Sequence, residues 1–267
     1  MVRSQDGQQP TIVSSKKKKP AFKIDSSPFA TLQGLILQGG SRQSGVHVAW
    51  SDFVTVSDCV VRGTRDADTP GVYVQGGTHG QYRGNTITDN EVGILVFNTA
   101  DENTFGDNLI YGNRARGLWL YRTSAANQVI NNTFLGNGLE IHLGNKGNKK
   151  DEPGEENEFR NNILVAGNGG TCFAVDRQHD PGQLPADTVS DYNNLYVAAS
   201  GAIVGRLDND TYADLNAWRR GSRADLHGLS TDPLFVGARA DFHLQSTAGS
   251  YHGGDWTADG SHSPSID

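Results

Sequence analysis

Apolar and variable residues alternate in short bursts along most of the chain, and the clearest bursts open on glycine. GVHVAW at 45–50, GVYVQG at 71–76, GILVFN at 93–98, GLWLYR at 117–122 and GLEIHLG at 138–144 share this pattern. TCFAVD (171–176) and GAIVGR (201–206) are weaker copies, and AFKID (21–25) is an earlier one. Period-two alternation predicts β-strands, one side chain inward and the next outward. A second unit lies between the bursts: VSDCVVRG (56–63), YRGNTITDN (82–90), FGDNLIYGN (105–113), VINNTFLGN (129–137), FRNNILVAGN (159–168) and SDYNNLYVAAS (190–200). The Gly-led unit returns every 21 to 26 residues as far as Gly138, and about every 30 afterwards. Each period therefore holds two or three short strands separated by Gly and Asn.

Strands this short gain most by stacking each period on the one before. Every strand then pairs in parallel with its own copy, about 4.8 Å away. The prediction is an all-β fold, a single-stranded parallel β-solenoid of roughly seven to nine coils. Residues 1–205 form the repeats and 206–267 an irregular C-terminal capping segment. Within that segment, TYADLNAWRRGS (211–222) predicts a short helix with Leu215 and Trp218 on one face.

The repeats resemble those of the right-handed parallel β-helix superfamily, the pectate-lyase-like proteins with polysaccharide lyases, glycosidases and phage tailspikes among them. The resemblance spans about residues 20–205 and includes a recurrent Asn, at Asn85, Asn108, Asn132, Asn162 and Asn194. Such β-helices stack Asn side chains into a ladder at a sharp turn, with Cys59 taking the slot in an early coil. The segment STDPLFVGARADFHLQSTAGS also resembles the tail of secreted bacterial β-helices. The resemblance implies an extracellular, carbohydrate-active protein with a polysaccharide as partner, although no signal peptide is visible at Met1. The Asp clusters of pectate lyases, the NTD, DD, GHG and RIK signatures of polygalacturonases and the DPH of alginate epimerases are missing. No one of those activities is therefore implied.

The alternation assigns Val46/Val48, Val72/Val74, Ile94/Val96, Leu118/Leu120 and Ile141/Leu143 inward. Outward lie a column of His47, Tyr73, Leu95, Trp119 and Glu140, and a second of Ala49, Gln75, Phe97, Tyr121 and His142. A solvated face should be polar, and this one is aromatic. Rings suit the apolar faces of sugars, so His47, Tyr73, Phe97, Trp119, Tyr121 and Arg122 are the candidate substrate-binding residues. A covering loop and a subunit contact are the alternatives. Glu140, His142, Asp176, Arg177, His179 and Asp180 cluster beside the rings as candidate catalytic groups. A lyase needs a base and a cation to neutralise an enolate-like charge; a glycosidase needs two carboxylates. The favoured reading is binding and cleavage of a polysaccharide, by β-elimination or hydrolysis; the alternatives are glycan binding alone, as in an adhesin or fibre, and a structural rod with an oligomer contact.

Composition narrows the partners. A net charge of −7 argues against a nucleic-acid or anionic-membrane binder. No apolar run approaches the roughly 20 residues of a membrane span. Cys59 and Cys172 form no metal-binding pair and read as buried thiols. The loop Asp151–Glu156 offers oxygens of the kind Ca²⁺ takes, or is simply an exposed charged insertion; no other cofactor is indicated.

Overall fold

The computed structural model describes residues 1–4, 8–14, 19–144, 152–177, 182–237 and 241–266. Each repeat makes three strands, and the strands of successive repeats form three parallel sheets that wind as a right-handed β-helix of eight coils. Sheets A and B hold eight strands each; sheet C holds eight parallel strands and one antiparallel strand, Asp210–Tyr212, at its end. The Gly-led bursts are the sheet C strands: Phe22–Asp25, Val46–Ala49, Pro70–Gln75, Val92–Phe97, Arg116–Tyr121, Leu139–Gly144, Thr171–Asp176 and Ile203–Leu207, for coils 1 to 8.

Most strands of sheets A and B have three residues, so alternation turns only the middle one inward. Those residues stack in register along the rod: Leu32, Val56, Tyr82, Phe105, Val129 and Phe159 in sheet A. Leu37, Val61, Ile87, Ile110, Phe134, Leu164 and Leu195 do the same in sheet B. Sheet C adds two inward columns, Val46 to Phe173 and Ile24 to Leu207, and together they make one continuous buried core. Both cysteines are buried and free.

Three asparagine ladders fasten the corners. In the first, Asn85 accepts at Oδ1 from the Cys59 backbone N–H, and Asn108, Asn132 and Asn162 each accept from the backbone and side-chain amide of the Asn one coil before. The ladder passes next to Asn193, not to Asn194. The reason lies in the residue before each rung. Asp58, Gly84, Asp107, Asn131, Asn161 and Tyr192 all take left-handed backbone, at φ of 55–64°. Gly, Asn and Asp enter that region readily; in coil 8 Tyr192 occupies it, so the rung is the first Asn of the pair. Asn194 instead ties the C-terminal segment, through Thr231 and Ser265. A second ladder runs through Asn90, Asn113 and Asn137, and a third through Asn103, Asn127 and Asn157.

The helix α1, Leu215–Ser222, is capped by Asp214, which accepts from Ala217 N at 2.8 Å. It buries Trp218 over the end of the rod against Phe173. Trp218 Nε1 donates to Asp225, a buried carboxylate that also accepts from Asn193 and so ends the first ladder. Beyond the helix the chain turns back along the flank of sheet B, where Phe242 meets Tyr111 at 5.0 Å.

Candidate functional site

The outer face of sheet C carries the rings. Register sets one column as Lys23, His47, Tyr73, Leu95, Trp119, His142, Ala174 and Arg206. The next column holds Asp25, Ala49, Gln75, Phe97 and Tyr121, with Gly144 and Asp176 further along. His47 stacks on Tyr73 at 4.5 Å, Tyr73 meets Phe97 at 6.1 Å, and Phe97 stacks on Tyr121 at 5.3 Å. These four residues are half-buried. The Arg122 guanidinium lies 4.9 Å above the Phe97 ring and 5.7 Å from that of Tyr121, within cation–π range.

Trp119 departs from the expectation of an exposed ring. It is 3% exposed, and with Val92 and Leu95 it forms a small apolar cluster on the outer side of the sheet. Arg116 covers it, 4.0 Å from the ring centre, and the indole N–H donates to Gly144 O at 2.8 Å. The half-exposed strip is therefore Tyr73, Phe97 and Tyr121.

Glu140 is not on this face at all. The strand register pairs Leu118 with Ile141 and Trp119 with His142, so Glu140 falls opposite Gly117. That slot holds Gly71, Gly93 and Gly117 in coils 3 to 5, where a Cβ would come within 3.0 Å of the amide nitrogens of Asn90, Asn113 and Asn137. Where the ladder stops, the slot becomes free for a side chain. Glu140 fills it, fully buried, and accepts from Asn137 N at 3.1 Å and Asn137 Nδ2 at 2.5 Å. Its carboxylate stands where the Oδ1 of another Asn would be. Burial pushes its pKa well up, against the opposing hydrogen bonds of Asn137.

His142 thus moves into the Trp119 column and stacks on that ring at 5.6 Å. It is 1% exposed, and both nitrogens are engaged: Arg116 Nε donates to Nδ1 at 2.9 Å, and Nε2 meets Asp176 Oδ2 at 2.8 Å. An arginine can only donate, so Nδ1 is an acceptor and the proton sits on Nε2. Burial lowers the His142 pKa; the Asp176 hydrogen bond opposes this and the Arg116 charge adds to it. Arg206 grips Asp176 with two nitrogens, at 2.5 and 3.2 Å. Desolvation alone would raise the Asp176 pKa, but hydrogen bonds from His142 and Arg206 outweigh it and hold it at about 2. Asp68 lies 3.6 Å from Arg116 at the other end. A chain of polar groups, Asp68–Arg116–His142–Asp176–Arg206, therefore runs beside the aromatic strip.

Arg177 is drawn away from the face, donating to Leu184 O at 3.0 Å and lying 3.6 Å from Glu152. His179, Asp180 and Asp151 lie outside the described residues. Three participants were missed in the sequence. Arg206 was readable from GAIVGR once the register is known, and Arg116 as the one charge in the column of Pro70, Val92, Leu139, Thr171 and Ile203. Asp68, in an irregular corner, carries no such signal.

Among known proteins, residues 6–175 match the family described as "Periplasmic copper-binding protein (NosD)". No curated protein sequence matches the chain. The fold is similar to the crystal structure of pectate lyase Pel9A, with a TM-score of 0.56 at 12% identity over 86% of this chain. The chain spans less than two thirds of that lyase, 64% of its length. An alginate lyase from Paenibacillus sp. str. FPU-7 aligns over 83% of this chain and 99% of its own, at 13% identity and a TM-score of 0.42. No helix among the described residues is long and apolar enough to cross a membrane.

Proposed function

Since the chain belongs to the NosD family, we propose that it is an extracytoplasmic β-helix that holds an acidic polysaccharide along the outer face of sheet C. The observation that carries this reading is the half-exposed run Tyr73–Phe97–Tyr121 with Arg122 beside it. The rings repeat with the coils, about 4.8 Å apart along the rod. A linear polymer lying along the rod can therefore meet one ring after another. Arg116, Arg206 and Arg122 bring three guanidiniums to this face, donors of the kind that recognise a carboxylate-bearing sugar. The structural neighbour described as a pectate lyase is named for a polymer of that class.

The family description names copper. The residues present do not fit a copper centre: among the described residues no three His, Cys, Asp or Glu converge. Both thiols are buried in the core, and the single methionine is Met1. Nothing in the proposed function is routed through a metal.

Cleavage, the expectation from sequence, would draw on fewer groups than expected. Glu140 is sealed inside the rod, and the His142 lone pair is occupied by Arg116. Asp176 with Arg116 and Arg206 remains at the face. Binding is the reading the described residues support, and β-elimination or hydrolysis is the finer one. Incubation with pectate, alginate and a neutral β-glucan separates them. Retention of the acidic polymers without product supports binding. Absorbance of unsaturated uronates means a lyase, and new reducing ends without it mean a hydrolase. Retention of none of them refutes the proposal.

A further inference from the structure

The corner that follows the sheet C strand in coils 1 to 5 places one residue in left-handed backbone. The residues there are Ser26, Trp50, Gly76, Asn98 and Arg122, with φ between 48 and 60°. Five successive coils share this conformation, and Gly and Asn meet it at least cost. A bulky aromatic residue there is an outlier. Buried contacts could offset the strain at Trp50, yet the residue is 53% exposed. Among the described residues it stacks on no other ring. Phe29 and Phe53, at a second left-handed position three residues on, at least stack on each other at 5.0 Å.

The ring of Trp50 has a seat. Its six-membered ring leans over the next coil against Gly76, where an added Cβ would come within 2.3 Å of it. The backbone of Trp50 is fixed there by its N–H, which donates to Gln75 O at 2.9 Å. Gln75 is the register partner of Phe97. Trp50 therefore lies beside the coil that precedes Phe97, at the N-terminal end of the same strip.

We propose that Trp50 is a further sugar-binding ring, a platform for one apolar pyranose face of the polymer held by Phe97 and Tyr121. It lengthens the binding track by one coil toward the N-terminal end of the rod. The inference rests on the function proposed above, and gives a role to the part of this strained ring that Gly76 leaves exposed. A polymer engages Trp50 together with Phe97 and Tyr121, whereas a short oligosaccharide fills only part of the track.

The test exploits the strain. Trp50→Gly replaces the ring by the residue the backbone favours, so the melting temperature should hold or rise. Affinity for polymeric pectate or alginate should fall roughly five- to tenfold, while affinity for a disaccharide of the same sugar stays unchanged. Trp50→Asn, the residue found at Asn98, should behave the same way and Trp50→Phe should retain most binding. Unchanged polymer affinity in Trp50→Gly, with Phe97→Ala weakened, overturns this inference alone. A lower melting temperature in both Trp50→Gly and Trp50→Asn makes the ring structural and also overturns it. Failure of the unaltered protein to bind either polymer removes this inference together with the function it rests on.

Discussion

Removing Glu140 is expected to destabilise the rod without touching its outer face. The carboxylate takes two donors, Asn137 N and Asn137 Nδ2, in a fully buried place. Glu140→Ala leaves both unsatisfied, at about 1–3 kcal/mol each, and opens a cavity besides, so a loss of about 3–5 kcal/mol is expected. Glu140→Gln keeps an acceptor oxygen and removes the buried charge; its cost should stay within about 1 kcal/mol. The two variants also separate in their response to pH. Burial raises the folded-state pKa of Glu140, so its protonated form favours the folded chain. That contribution is full below the unfolded pKa of about 4.3, and is lost by about 1.4 kcal/mol per pH unit as pH rises toward the folded value. Glu140→Gln should flatten this decline. Urea unfolding at pH 5 and pH 8 measures both effects. An alanine variant as stable as the parent, or a glutamine variant as damaged as the alanine one, would refute the role of Glu140 as the ladder's last rung.

Two further outcomes follow from the same contacts. Asn108→Ala breaks the middle of the first ladder, where the side chain donates to Tyr82 O and Asn132 and accepts from Asn85; a loss of about 2–4 kcal/mol is expected, against almost none for the exposed Asn168, measured by denaturant titration. His142 should hold the neutral Nε2–H tautomer to lower pH than a free histidine does. Because its folded pKa is lowered, its contribution to stability is present above the unfolded pKa and is lost as pH falls through the folded one. Nitrogen chemical shifts of the ring read the tautomer directly, and a ring that gains its second proton at or above the pH where a free histidine does would contradict the Arg116 hydrogen bond.

The repeat was legible because each coil writes the same alternation, and a stacked fold rewards like residues in like slots. Val46, Val72, Ile94, Leu118 and Ile141 form one inward column that period and pattern alone predict. The register of Glu140 and His142 was harder. GLEIHLG offers Gly138 as a false start, two residues ahead of the true slot, because the glycine expected there has been replaced by Glu140 itself. The replacement makes sense only with the ladder in view: Gly71, Gly93 and Gly117 are glycines to leave room for Asn side chains on a different corner. Contacts between corners have no sequence signature of their own. The same holds for Trp119, whose exposure by alternation is cancelled by Arg116 folding over it. Trp50 escaped notice because it sits at the end of GVHVAW, where its role depends on the sign of one backbone angle.

The most direct test of the central claim is the affinity for an acidic polymer of a variant carrying Phe97→Ala and Tyr121→Ala, compared with the unaltered protein. Both rings lie outside the core cluster of the rod, so the fold should survive, as checked by far-UV circular dichroism. The two rings together predict affinity lower by a factor of about 10 to 100 for pectate or alginate. Binding that is unchanged in a folded double variant would contradict the assignment of sheet C as the polysaccharide face.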